Sequence, residues 1–152
     1  MRIGLLLSNS GHHSYTSSDL YNSLKLTLDD ACQYIPKDTN FAIPADNQKA
    51  IKELVLYDNV DFIVGFLEYC SITVVKPLIQ QTKTPLIIFN SGEHPLLKAD
   101  VSPYIMHLSL SMFNSTYSAC KWAFNKVAKS FTSLHTFFEA GYSILYATIC
   151  RT

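Results

Sequence analysis

Apolar residues fall along this chain in two kinds of run. Short unbroken runs occur at Arg2 to Leu7 (RIGLLL), Asp61 to Phe66 (DFIVGF) and Leu86 to Phe89 (LIIF). Such runs, free of polar alternation, suit strands covered on both faces. Between them the apolar spacing changes to three and four. Leu20, Leu24, Leu28 and Cys32 share one helical face, with Ser17 or Ser18 as N-cap and Asp19 at the positive end of the macrodipole, and this helix is expected to end near Tyr34 to Pro36. A brief strand, Phe41 to Ile43, then precedes a second helix. Asp46 or Asn47 caps that helix, which runs to about Tyr57 with Ala50, Ile51, Leu54 and Val55 as its buried stripe. A third helix, Tyr69 to Gln81, turns Ile72, Val75, Leu78 and Ile79 inward, and Pro77 is expected to kink it or delay its start.

The stretch from Val60 to His94 thus reads strand, helix, strand, which implies a right-handed parallel crossover. The expected fold class is α/β, a three-layer αβα arrangement on a mostly parallel open sheet. Ligands of such sheets settle outside the carboxyl ends of the strands, where helix N-termini converge. Beyond Gly92 the pattern loosens. Tyr104 to Leu110 alternates as an edge strand would. A helix capped by Asn114 or Ser115 runs to about Ala128, with Ala119, Trp122, Ala123 and Val127 inward. Ser130 to Phe138 reads as another strand, and Ser143 begins a last helix that meets Thr152 with no strand after it.

Composition narrows the function classes. The 152 residues carry 12 basic and 12 acidic side chains, a balance that steers toward neither nucleic acid nor an anionic membrane. Nine Tyr and nine Phe point to packing more than to base stacking. Cys32, Cys70, Cys120 and Cys150 lie far apart with no C-x-x-C, so buried thiols are expected rather than a zinc or redox motif. Met1 leads straight into a strand with no secretory-leader pattern, and the apolar runs are strand-sized. His12-His13 and Glu93-His94 offer ligand atoms, but adjacent residues rarely hold one ion together, and no metal is expected. Neither a G-x-S-x-G elbow nor a G-x-G-x-x-G turn is present. No enzyme chemistry and no cofactor are expected.

RIGLLLSNSG at residues 2 to 11, a helix ending in Asp29-Asp30-Ala31, VDFIVGFLEYCSIT at 60 to 73, TPLIIFNSGE at 84 to 93, SPYIMHLSLS at 102 to 111 and FFEAGYSILYA at 137 to 147 follow one another in a recognisable order. Together they resemble the type I periplasmic solute-binding proteins of ABC transporters, in the branched-chain amino acid and amide branch. The resemblance implies two α/β lobes closing on a small polar solute such as an amino acid or amide, in the periplasm or another extracytoplasmic space, with an ABC permease as partner. It places residues 1 to 110 in the first lobe and makes 111 to 152 the incomplete beginning of the second. Such proteins are normally much longer, so an exposed, truncated surface is expected to promote self-association.

The resemblance also implies ligand-binding positions. Ser8, Asn9 and Ser10 match the first cleft loop, and Phe66, Glu68, Tyr69 and Ser71 match the turn that offers a hydroxyl and helix N–H groups to a carboxylate. Asn90, Ser91 and Gly92 match a third loop that meets the amine or amide, and Phe138 matches an aromatic over the ligand. Pairing an ammonium needs an acid, and Glu68 and Glu93 stand at strand ends. Ordinary loop and capping roles are the alternative at each position. A ligand-sensing domain of a receptor or regulator, and a small flavodoxin-like enzyme, are the rival readings.

Overall fold

The computed structural model describes residues 1–8, 14–28, 32–40, 43–127, 130, 132, 134 and 145–148. Five strands form one sheet in the order β2-β1-β3-β4-β5: β1 (Arg2–Leu7), β2 (Gln33–Asp38), β3 (Phe62–Phe66), β4 (Leu86–Asn90) and β5 (Ile105–Ser109). β1 pairs in parallel with β2 and β3, and β3 with β4. The α/β class and the parallel β3–β4 crossover read from the sequence are both present. Helix α1 (Ser14–Leu28) joins β1 to β2, α2 (Pro44–Leu56) joins β2 to β3, and α3 (Tyr69–Thr82) joins β3 to β4. Only a short 3-10 turn, Lys98–Asp100, lies between β4 and β5, and α4 (Met112–Lys126) follows β5. No helix among the described residues is long and apolar enough to cross a membrane.

Strand alternation divides the core into two layers. On one face Leu6, Ile63, Leu86, Ile88 and Ile105 meet Ala50, Ile51 and Leu54 of α2 and Ile72, Val75 and Ile79 of α3. On the other, Ile3, Leu5 and Val64 meet Leu20, Tyr21, Leu24 and Leu28 of α1. Each fully buried Ile or Leu contributes about 1.5–3 kcal/mol, so these two layers hold the sheet. Gly65 lets β3 approach β1: a Cβ there would sit 2.4 Å from the Leu6 carbonyl oxygen.

Several boundaries differ from expectation. α1 ends at Leu28, and Gln33–Asp38, expected to be helix tail, is the edge strand β2. Pro36 survives there because an edge strand needs only alternate N–H groups for its one neighbour. The amides that reach β1 include those of Gln33 (to Met1 O, 2.9 Å) and Thr39 (to Leu7 O, 2.9 Å), so Pro36 falls on the outward set. The Phe41 to Ile43 strand lies partly outside the described residues, and Ile43 is the N-cap position of α2. Pro77 does not break α3, which runs unbroken from Tyr69 to Thr82 with Pro77 exposed. On α4 the shielded positions are Met112, Phe113, Thr116, Tyr117, Cys120, Ala123 and Phe124, while Ala119, Trp122 and the C-cap residue Val127 face solvent. The inward face is rotated by about one residue from the expected one, and no residue of α4 is fully buried. The strand expected from Ser130 to Phe138 lies mostly outside the described residues.

The chain divides into two compact units, Met1–Asn90 with Lys98–Leu108, and Ser91–Leu97 with Ser109–Thr152. In the first, Lys37 ties β2 to Glu53 of α2 and to Asp58 just after it, both 3.0 Å away. In the second, Ser111 adopts a left-handed backbone (φ 53°), and the N–H groups of Met112 and Phe113 donate to the carbonyls of Ser91 (3.0 Å) and Gly92 (2.9 Å).

Candidate functional site

The carboxyl ends of β1, β3 and β4 carry most of the positions singled out in the sequence. Ser8 follows β1; its hydroxyl donates to the Asn40 carbonyl (3.2 Å), and its own carbonyl accepts the Ser17 hydroxyl (2.8 Å). Asn9 and Ser10 lie outside the described residues, as does Phe138. Phe66 ends β3 with its ring tilted against Phe89, centroids 5.8 Å apart.

The turn after β3 leads straight into α3. Glu68 is exposed at the N-cap position; its carboxylate makes no cap hydrogen bond to the backbone and accepts the Cys70 thiol at 3.8 Å. A helix N-terminus favours anions. Tyr69, half-buried, donates its phenol to Asp100 Oδ2. Ser71 is fully buried, and its Oγ accepts the Asn47 side-chain amide at 2.9 Å, joining α3 to α2. The structure thus separates two roles in this turn: Glu68 and Tyr69 sit at the surface or half-buried, and the Ser71 hydroxyl is engaged inside the helix layer.

Asn90 ends β4, and Ser91 and Gly92 begin the next loop in the second unit. Gly92 has φ +69°, and a Cβ there would lie 2.7 Å from both Ser109 Oγ and Ser111 N. Only glycine fits that crossing. The Ser91 hydroxyl donates to Glu93, whose side chain is buried, with 7% of the residue exposed.

Sequence reasoning missed Asp100 and His107 and took Asn47 for a helix cap, whereas it lies buried inside α2 and donates to Ser71. Asp100 is buried under Tyr69, with Lys76 donating to the neighbouring Ala99 carbonyl. His107, on β5, is held below the ordinary imidazole value by burial, an effect partly offset by the Asp100 charge. These residues are 24 or more positions from their partners, beyond the reach of local pattern, apart from His107 and Asp100. A depression of about 260 Å3 also lies beside β2 and α2, lined by Lys37, Asp38, Asp46 and Lys49 among others. Among the described residues no group of three His, Cys, Asp or Glu is placed to hold a metal ion.

No protein-family profile matches the chain. The Leu/Ile/Val-binding protein homolog 6 of Brucella abortus (strain 2308) is 24% identical over 106 residues, 70% of this chain and 27% of that protein. The solute binding protein of an ABC transporter from Rhodopseudomonas palustris BisB5, solved in complex with 3,4-dihydroxy benzoic acid, superposes with a TM-score of 0.75 at 23% identity over 99% of this chain and 43% of that one. The Escherichia coli transcriptional repressor ascG superposes with a TM-score of 0.68 at 16% identity, covering 99% of this chain and 53% of that one. The chain therefore spans about a quarter of the curated relative and less than half of the solute-binding structure. In sequence and in fold it is similar to the type I solute-binding proteins of ABC transporters.

Proposed function

We infer that this chain is the solute-capturing part of an extracytoplasmic binding protein serving an ABC importer, with residues 1 to 110 as its first lobe and 111 to 152 as the opening of the second. It binds a small polar solute, an amino acid or amide, and makes or breaks no bond. The observation that carries the reading is the set of strand ends on a parallel sheet within the first unit: Ser8 after β1, Phe66 to Tyr69 at the end of β3, and Asn90 at the end of β4. The N-terminus of α3 suits a carboxylate, and Asn90 at the end of β4 carries an amide suited to a polar solute. Ser71 acts by fixing α3 on α2 through Asn47, so that the turn before it presents one geometry. Asn9, Ser10 and Phe138 complete the proposed contacts. Met106 and Leu108, apolar and exposed on β5, support the expected self-association.

Isothermal or NMR titration of the 152-residue chain tests this, with L-leucine, L-glutamine and 4-hydroxybenzoate as probes. The last stands for aromatic acids, the chemistry bound by the Rhodopseudomonas neighbour. A lobe and a fraction of its counterpart supply part of the contacts, so saturable binding weaker than roughly 1 mM is expected. No saturable signal for any probe overturns the reading.

A second reading, a ligand-sensing domain of a regulator, is favoured by the likeness to the ascG repressor. A DNA-binding or membrane-spanning segment encoded in frame with this chain would select it.

A further inference from the structure

We propose that two copies of this chain associate through the outer border of β5, as an antiparallel strand pair with its two-fold axis at His107; this deepens the self-association reading above and rests on it. β5 is the last strand of the sheet, and among the described residues no strand lies beyond it. Leu86 N–H donates to the Tyr104 carbonyl (2.8 Å), so the main-chain groups of Tyr104, Met106 and Leu108 are turned to β4 and those of Ile105 and His107 turn outward. The Ile105 amide is taken back by the Ser102 carbonyl (3.2 Å), which leaves His107 at the centre of the outward row.

Side chains narrow the choice of occupant. Ile105 is buried in the layer closed by α2 and α3, so alternation sets Met106 and Leu108 on the α1 side of the sheet. Among the described residues neither joins the layer that α1 closes: they stay 57% and 46% exposed, although Ile87 and Phe89 of the neighbouring β4 belong to it. The border strand IMHLS carries no Lys, Arg, Asp or Glu, whereas the opposite border, QYIPKD, carries Lys37 and Asp38. Burial favours the neutral imidazole of His107, so two copies meet at this border without like charges set against each other. In an antiparallel pair two residues whose main chains face each other exchange both hydrogen bonds. Centring that exchange on His107 sets Met106 opposite Leu108 of the second copy, and Leu108 opposite its Met106, so the exposed apolar side chains cover one another. A five-residue border falls short of the roughly 1,200–2,000 Å2 that a standard interface buries, so the dimer forms at high protein concentration.

Sedimentation equilibrium of the 152-residue chain from about 5 to about 500 µM, with a reductant to keep its four cysteines from bridging, tests the proposal. A monomer–dimer equilibrium is expected. Met106→Lys and Leu108→Glu, both at exposed positions, should each raise its dissociation constant at least about tenfold, because each sets a charge against an apolar side chain. An equimolar mixture of the two variants should recover association to within about threefold of the wild type, since the mixed pair sets the introduced lysine opposite the introduced glutamate and leaves one Met106 opposite Leu108. Wild-type dimers that ignore both substitutions, or variants whose mixture stays monomeric, overturn the pairing and leave self-association through another surface standing. Open-ended oligomers overturn it too, because this pairing closes at two. A monomer at every concentration assigns the border to a strand of another kind and removes the self-association reading together with this inference, while the solute titration reads the binding proposal independently.

Discussion

α3 and α4 are nearly the same length, 14 and 15 residues, and each starts shortly after a parallel strand, yet they are held differently. α3 buries Ser71, Ile72, Val75 and Ile79 against Ile63, Leu86 and Ile88 of the sheet. α4 buries nothing completely, and its Trp122 and the C-cap residue Val127 remain 62% and 69% exposed. Both sequences are amphipathic. A helical stripe is therefore an offer of a face, and the stability comes only where a sheet accepts it. α3 can even carry Pro77 in its interior, since tertiary packing outweighs the lost hydrogen bond at an exposed position.

The harshest way to break the contrast is to remove the surface that accepts α3. Gly65→Val would drive a side chain into the Leu6 carbonyl, 2.4 Å from the Cβ position, and separate β3 from β1. Loss of about 3 kcal/mol or more is expected, seen as unfolded protein by circular dichroism at room temperature. A folded Gly65→Val would mean that the two strands can move apart without harm. Next in size, Ile79→Ala should cost about 2–5 kcal/mol in urea unfolding, whereas Trp122→Ala should stay within about 0.5 kcal/mol. Equal losses for the two would erase the difference between the helices.

The smallest effect is one of pH. Burial keeps the folded-state value of His107 below the ordinary 6.5, so between the two values the unfolded chain binds this proton more readily than the folded one. Stability is then full above pH 6.5 and declines as the pH falls below it. Asp100, beside His107, anchors the first turn of α3 through Tyr69, so amide exchange in α3 should quicken in mild acid while that of α4 does not respond. His107→Gln should flatten the dependence; an unchanged profile in that variant would assign the acid sensitivity to other groups.

Much of the sheet was legible in the sequence because buried parallel strands leave unbroken apolar runs: β1, β3 and β4 are such runs. The stripes of α2 and α3 were legible for the same reason. β2 was not, since QYIPKD alternates with polar residues and contains a proline, and the four-residue step from Leu28 to Cys32 continued a helical rhythm past the helix end. The strand-end positions could be located, but their engagements could not. Ser71 looks like a helix-start hydroxyl until Asn47, 24 residues earlier, is found against it. Glu93 looks like a solvated loop acid until its burial is measured. The first depends on a contact between distant segments and the second on burial in the folded chain, and no local spacing encodes either.

Pro36 has a consequence for the company this chain keeps. An outer strand with a full row of unpaired amides invites a foreign strand to dock along it, and stacking of that kind is how sheets grow into fibres. On β2 the outward row has a gap, because Pro36 falls among the amides that β1 does not use. The residue that hid this strand from the sequence pattern also denies an intruding peptide its continuous ladder, leaving the β2 border a poor template for polymerisation.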